Sequence, residues 1–155
     1  MRIITNVRKN RSHLPEVLRL IANHDEVVIC SGWMKMCGLS EVLPTLDLAL
    51  ERGASILVFT NERHTETDCV AALSQKPGLL HTNIPAPEYF HSKLYYGRRG
   101  DHFMAIIGSA NVTAGGLWKN EELSTLIEGS VSDPLHAQLS TYLDALPALM
   151  PAHSR

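Results

Sequence analysis

Two stretches of the sequence, EVVICSG at 26–32 and ASILVFT at 54–60, consist almost entirely of apolar residues. Apolar runs of this length lack the alternation of a half-exposed strand and are typical of strands that are covered on both faces. Windows with apolar residues at helical spacing lie before, between and after them, at 12–24, 38–53 and 65–75. Buried strands that alternate with helices predict an α/β fold.

The pattern changes after residue 90, where strands follow one another directly. FHSKLYY (90–96) and HFMAIIGS (102–109) are separated by the turn GRRGD, which predicts a hairpin. The remaining elements are three short strands and a closing helix, at 2–5, 79–85, 121–129 and 132–146. The chain is therefore expected to form a single domain, residues 1–155, with a mixed β-sheet flanked by helices on both faces.

Serine and proline residues suggest where the helices begin. Ser12 is a plausible N-cap of the first helix, and Pro44 is expected in the first turn of the second helix or at its start. Gly53 is expected to end that helix. In the closing helix, Ser132 or Asp133 is the expected cap, followed by proline at the first position.

Composition limits the class of protein. Apolar residues make up 45% of the chain, charged residues 19%, and the net charge is −2, all ordinary for a soluble globular protein. No apolar run approaches the roughly 18 residues of a membrane span, and the N-terminus lacks the apolar region of a signal peptide. The three cysteines are scattered and odd in number, so free thiols and a cytoplasmic location are expected, with no membrane partner.

The first eleven residues carry a cluster of positive charge. Arg8, Lys9 and Arg11 follow the first predicted strand, where α/β sheets place binding loops. These three residues are predicted to contact phosphate groups of a substrate backbone. The alternative is a basic loop that is merely solvated.

A second polar cluster lies after residue 90. If 90–96 is a strand, His91 and Lys93 point to the same face, and a lysine there is unfavourable unless something anionic meets it. GSAN at 108–111 and NEE at 120–122 follow. HSK followed by GSAN resembles the paired motifs, H-x-K and G-S-x-N, of the phospholipase D superfamily. The following run, through Glu122, is similar to the small bacterial nucleases and restriction-enzyme catalytic domains of that superfamily. Many members also carry an aspartate five residues after the lysine, and this chain has Arg98 there.

The resemblance implies a role for each motif residue. His91 would be the nucleophile that forms a phosphohistidine, because neutral imidazole is a competent nucleophile near pH 7. Lys93 and Asn111 would bind the phosphate oxygens, and Ser109 would add a hydroxyl group. Glu122 would accept a hydrogen bond from the second imidazole nitrogen, with Glu121 as the alternative acid. Protein cations would replace a metal, so no metal or cofactor is expected.

Other aromatic and histidine residues are interpreted as structural. Trp33 is expected to pack, whereas Trp118, in the loop after GSAN, could line the cleft and stack on a base. A structural role is expected for the seven remaining histidines, His13, His24, His64, His81, His102, His136 and His153.

The resulting hypothesis is a metal-independent phosphodiesterase that cleaves nucleic acid, with DNA favoured over RNA and endonuclease action expected. The alternatives are a phospholipase or other lipid phosphodiesterase, and a nucleic-acid binding module without turnover.

The chain has a single H-x-K, whereas the mechanism needs a second histidine to protonate the leaving oxygen. A homodimer with a shared active site is therefore predicted, with the apolar loop at 112–118 packing against its mate. A specificity or defence-system partner is possible by family analogy.

Overall fold

The computed structural model describes residues 1–7 and 11–150. Within them the chain forms seven strands and four α-helices: β1 (Arg2–Thr5), α1 (His13–Asn23), β2 (Glu26–Ser31), α2 (Met36–Glu51), β3 (Ser55–Asn61), α3 (Thr67–Ser74), β4 (Leu79–Ile84), β5 (Lys93–Arg99), β6 (His102–Gly108), β7 (Leu123–Ser130) and α4 (Pro134–Ala145). Short helical turns lie at Glu62–His64, Ala86–Glu88, Gly115–Lys119 and Leu146–Leu149.

All seven strands join one sheet in the order β1-β7-β6-β5-β2-β3-β4. β2, β3 and β4 are parallel, whereas β5 runs antiparallel to β2 and the hairpin strands continue that pattern out to β1. The prediction of a mixed α/β sheet is confirmed, and so is the hairpin formed by β5 and β6.

Helices cover the two faces of the sheet unequally. α1, α2 and α3 pack on one face, where Leu20, Leu46 and Leu73 meet the sheet residue Ile56 in a core without solvent access. α4 packs on the other face, and Leu139 contributes to a second, smaller core there. The predicted cover on both faces is confirmed, but a single helix leaves part of the second face open.

The strand directions bring the C-terminal ends of some strands and the N-terminal ends of others to one edge of the sheet. The parallel strands β2, β3 and β4 end there, β5 and β7 begin there, and β6 and β1 end there, as the pairing registers require. The loops at 32–35, 62–66, 85–92 and 109–122 therefore meet at the same edge. Backbone bonds tie them together, because Met34 donates to the carbonyl of His64 and accepts from Glu66.

Two details of the predicted elements are wrong. β5 begins at Lys93, so His91 precedes the strand rather than lying in it. α2 begins at Met36, which puts Pro44 inside the helix. An interior proline removes one hydrogen bond, but Pro44 lies on the exposed side of α2, and burial of the opposite side outweighs the loss.

The predicted caps occupy the right positions but bond differently. Ser12 precedes α1, yet its hydroxyl donates to the carbonyl of Thr5 (2.6 Å) and so ties the helix to β1. Asp133 precedes Pro134, the first residue of α4, and its carboxylate accepts from the Ser130 N–H (2.9 Å). As predicted, α2 ends just before Gly53, whose φ of 90° favours glycine.

Among the residues that the structure describes, no helix has the length and apolar character needed to cross a bilayer. Cys30, Cys37 and Cys69 are free thiols.

Buried and half-buried histidines should make the fold sensitive to acid. Burial lowers the pKa of His13 and His24, and it lowers the pKa of His81, which bonds the Thr60 hydroxyl (2.7 Å), to about 4. The unfolded chain then binds more protons, so stability should fall as the pH drops from about 6.5 toward 4. Between pH 7 and pH 5, His81 alone should remove roughly 1–2 kcal/mol from the free energy of unfolding.

Urea unfolding of the wild type and of His81→Gln at both pH values measures this effect. The variant should lose less stability on acidification, because glutamine does not titrate. Equal losses in the two proteins would contradict the assignment to His81.

Candidate active site

His91 and Lys93 contact each other directly at the site edge of the sheet. The Lys93 Nζ atom lies 3.0 Å from Nδ1 and 3.1 Å from Nε2 of the imidazole, and it donates to the His91 carbonyl oxygen (2.8 Å). Nearly equal distances to both ring nitrogens place the ammonium group against the ring rather than in line with one lone pair. Side-chain alternation within β5 also turns Lys93 and Tyr95 to the same face, as predicted.

The pKa values of both groups are lowered. For His91 the causes are burial, then the positive charge of Lys93, then His64. Burial also lowers the pKa of Lys93, and the negative charge of Glu122 acts against that shift. The imidazole is therefore held in its neutral form near pH 7, which is the form that can attack phosphorus.

Glu122 contacts Ser109 rather than His91. The Ser109 hydroxyl donates to the Glu122 carboxylate, and the Leu123 N–H donates to the same hydroxyl (3.1 Å). Within the described part of the chain, the hydrogen bonds of the Glu122 side chain go to Ser109, so the expected bond to the imidazole is not formed in this structure. Glu122 is half-buried and its neighbour Glu121 is exposed, which favours Glu122 as the site acid.

Asn111 is oriented by the loop that follows β2. Its amide oxygen accepts from the backbone N–H of Trp33 (3.0 Å), which leaves the NH₂ group as the donor end. Ser31, at the end of β2, accepts from the Val112 N–H (2.9 Å) and pairs with Lys93 across the sheet. Asn111 is thereby fixed to the same strand end as Lys93.

Buried contacts hold the GSAN segment close to the sheet. The hydroxyl of the fully buried Tyr95 donates to the carbonyl of Ala110 (3.0 Å). Gly108 is the last residue of β6, and a Cβ there would lie 2.3 Å from the Ser124 hydroxyl. Glycine therefore permits the close approach of β6 and β7 that brings Ser109 to Glu122.

Arg11 and Trp118, which were also predicted to contact substrate, lie in a different groove from the motif residues. Trp118 packs against the core and shares a groove with Arg11, Leu14, Pro15 and Glu41, a groove to which none of the motif residues contributes. Arg8 and Lys9 fall outside the described residues. Contact of Arg11 and Trp118 with substrate stays a prediction. Arg98, which stands where many family members carry an aspartate, lies at the opposite end of β5 beside Glu26.

Sequence reasoning missed three aromatic residues near His91. Trp33, His64 and Tyr89 lie on three different loops and contact one another in a row that ends at the His91 ring. Trp33 and His64 were expected to be structural, yet Trp33 is 38% exposed. No spacing in the sequence connects the three residues, because only the sheet topology brings their loops together.

Metal binding by side chains requires several donor groups close together. Within residues 1–7 and 11–150, no three His, Cys, Asp or Glu side chains are grouped so that they could hold a metal ion.

Residues 17–146 match the family described as cardiolipin synthase, phospholipase D-like domain. The chain belongs to this phospholipase D-like family. It is accordingly a phosphodiesterase of the hydrolase class, and the resemblance predicted from the motifs is confirmed. No curated protein sequence matches the chain.

Several solved structures share the fold. NucT from Helicobacter pylori superposes with a TM-score of 0.74 at 14% identity, covering 94% of each chain. Nuc from Salmonella typhimurium, a phospholipase D family member, has a TM-score of 0.70 at 17% identity, covering 92% of each chain. A yeast tyrosyl-DNA phosphodiesterase has a TM-score of 0.60 at 11% identity, covering 93% of this chain and 37% of that one. At these identities the likeness shows the fold alone.

The contact between His91 and Lys93 predicts a measurable coupling. Replacing Lys93 by methionine removes a positive charge but keeps much of the volume, so the pKa of His91 should rise while burial still holds it below its usual value. NMR titration of the imidazole measures the shift without any substrate. Lys35→Met is the control, since the Lys35 ammonium lies over Trp33 instead (5.9 Å). A pKa of His91 that stays unchanged or falls in Lys93→Met would contradict the coupling.

Proposed function

We propose that this protein is a metal-independent nuclease, most simply a DNA endonuclease, that acts through a covalent phosphohistidine as a single catalytic domain. The observation that carries the proposal is the exposed His91 imidazole with the Lys93 ammonium group against its ring. A nucleophile and a cation in contact suit an anionic phosphodiester, whose charge the cation neutralises while the imidazole attacks.

The proposed reaction has two steps. An imidazole nitrogen of His91 attacks phosphorus, the bond from phosphorus to the leaving oxygen breaks, and a general acid gives that oxygen a proton. Water then attacks the phosphohistidine and loses a proton to the same group, which frees His91 and leaves a phosphate monoester. Lys93 and the Asn111 amide would stabilise the phosphoryl oxygens in both steps.

Ser109 and Glu122 are proposed to act as one unit in this reaction. The carboxylate already fixes the serine hydroxyl, and its negative charge acts on Lys93. A rearrangement on substrate binding would be needed for Glu122 to accept from the imidazole, since catalytic hydrogen bonds often form only in the substrate complex.

Further substrate contacts, the location of the protein and a specificity partner are also proposals. Arg8, Lys9 and Arg11 would contact the nucleic-acid backbone, and Trp118 would contact the strand beyond the cleft through the groove it shares with Arg11. A cytoplasmic location agrees with three free thiols. Sequence specificity would come from a separate partner, for example within a restriction or defence system.

A lipid phosphodiesterase is the second candidate, and one observation favours it. Three exposed apolar side chains, Ile3, Ile107 and Leu123, lie on the sheet face beside the site and are called the open sheet patch below. Ile107 and His91 line the same cleft. An apolar rim is what a membrane-facing enzyme needs, but three side chains are a small area for that purpose.

Activity in excess EDTA tests the proposed function. Single-stranded DNA, duplex DNA, RNA and phosphatidylcholine vesicles are offered separately to the wild type and to His91→Ala. We expect cleavage of nucleic acid by the wild type in EDTA, and a loss of several orders of magnitude in His91→Ala with binding retained, because a nucleophile has been removed.

Each other outcome rejects part of the proposal. Loss of activity on chelation, restored by Mg²⁺, would reject the metal-free mechanism. Hydrolysis of the vesicles alone would support the lipid enzyme, and binding without turnover would support a binding module. More than about a tenth of the wild-type rate in His91→Ala would reject the nucleophile.

We also propose that the enzyme is a homodimer in which two copies of His91 share one cleft. One imidazole would attack phosphorus while the other protonates the leaving oxygen. The loop at 112–118 offers less surface for the interface than expected, because Val112, Gly116 and Leu117 are already buried within the protomer. The open sheet patch is the better candidate, since Ile107 and Leu123 are exposed and lie next to the motif residues.

The two edge strands of the sheet provide a matched test of the dimer. Ile3 on β1 is 68% exposed and Leu80 on β4 is 61% exposed, at opposite edges. Ile3→Glu should dissociate the dimer and abolish activity with it, because a charge would be buried at the interface. Leu80→Glu should change neither property. Sedimentation and activity are measured at the same protein concentrations.

Mixed dimers test whether the cleft is shared. If both copies of His91 are needed, an equal mixture of wild type and His91→Ala should retain about a quarter of the activity after exchange, rather than about a half. A fully active monomer would overturn the shared cleft and would make His64, whose charge acts on His91, the candidate general acid.

A further inference from the structure

Three aromatic side chains form a continuous exposed surface beside His91. The Trp33 and His64 rings stack at 4.2 Å with an angle of 8°, and Tyr89 meets His64 edge-on at 5.9 Å. The Tyr89 ring lies 6.0 Å from the His91 ring at an angle of 22°. Trp33, His64 and Tyr89 are called the aromatic shelf below.

The aromatic shelf is exposed although its side chains are large. Tyr89 is 51% exposed and Trp33 is 38% exposed, so neither ring is needed to complete the core. Among the described residues, Tyr89 is the only residue other than glycine with a positive φ, at 40°. A bulky residue in this conformation is strained, and such strain is concentrated at functional sites.

Buried contacts hold the loops of the shelf in place. The buried Asn61 side chain donates to the carbonyl of Phe90 (2.6 Å), which joins the loop of His64 to the loop of Tyr89. Glu62 accepts from the Ala86 N–H (3.0 Å) and adds a second connection between the same loops. A rigid, pre-formed aromatic surface binds a flat ligand with little loss of conformational entropy.

The shelf is also continuous with the phosphate-binding groups. The backbone N–H of Trp33 donates to the Asn111 side chain, and both residues line one groove with Glu122. The Lys35 ammonium group lies 5.9 Å from the centre of the Trp33 ring, so a positive charge accompanies the aromatic surface. Aromatic rings with an adjacent cation are the combination that binds single-stranded nucleic acid.

We propose that the aromatic shelf stacks an unpaired base of the nucleic acid next to the scissile phosphate, and so makes unpaired strands the preferred substrate. The inference rests on the proposed nuclease function and adds the strand preference of the same site. The faces of a base in a duplex are covered by its neighbours, so the shelf can accept only a base that has left the stack. Stacking uses the π-face that every base has, which predicts weak sequence preference.

Fluorescence can locate the stacked base, because the chain has two tryptophans. Trp118→Phe leaves Trp33 as the reporter, and Trp33→Phe leaves Trp118, both combined with His91→Ala so that the oligonucleotide is not cut. Stacking with a base quenches indole emission. Single-stranded DNA should therefore quench the protein that keeps Trp33 more strongly than the protein that keeps Trp118. Quenching of Trp118 instead would overturn the shelf in favour of the groove beside Arg11.

Affinity supplies a second, independent measurement. Trp33→Leu should weaken binding of single-stranded DNA by about five- to a hundredfold, the effect of one lost stacking contact, and should not change the salt dependence, because no phosphate contact is lost. Leu80→Ala, on the edge strand β4, is the control and should bind normally, because the exposed Leu80 side chain has no proposed contact with substrate. An oligonucleotide with an abasic position at the shelf should bind wild type as weakly as the intact one binds Trp33→Leu.

Tyr89→Asn separates binding from folding. Asparagine tolerates a positive φ, so this variant should keep the wild-type melting temperature while the preference for single-stranded over duplex DNA falls. An unchanged preference in both Trp33→Leu and Tyr89→Asn, with cleavage intact, would overturn the shelf and leave the nuclease proposal standing. A protein that neither binds nor cleaves nucleic acid would overturn both.

Discussion

A partly buried positive charge determines how the site must work. Lys93 lies half-buried at the start of β5, with its ammonium group against the His91 ring. Glu122 is the nearby negative charge, but its carboxylate is bound to the Ser109 hydroxyl. A cation that is desolvated and only partly compensated favours an anionic ligand, and the same charge keeps the imidazole neutral. A phosphodiester satisfies both conditions.

The position of this charge depends on one reversal in the sheet. β2 runs parallel to β3 on one side and antiparallel to β5 on the other, so β5 begins where β2 ends. Ser31 and Lys93 therefore lie side by side, and the loops that follow β2, β3 and β6 meet around them. The motif residues proposed to act on the phosphate come from this edge, on a scaffold whose two cores lie behind it.

Two unlike surfaces flank His91 at that edge. The open sheet patch exposes aliphatic side chains because α4 covers only part of its face, whereas the aromatic shelf exposes rings on rigidly connected loops. Apolar aliphatic surface suits a second copy of the protein, and flat rings suit bases. The open sheet patch would therefore bind the second copy and the aromatic shelf would bind a base, and both surfaces lie beside His91.

The sequence by itself determined the α/β class, the mixed sheet and the family, because apolar runs, helical spacing and the pairing of HSK with GSAN are local patterns. The sequence pattern predicted Pro44 at or near the start of α2. Pro44 lies inside the helix instead, because the packing of α2 outweighs the preference of proline for a helix start. Only the tertiary structure decided that Glu122 bonds Ser109 and that Trp33 reaches the row of rings at His91, because those contacts join segments far apart in the chain. Strand order and side-chain burial determine such contacts, and neither is encoded in residue spacing.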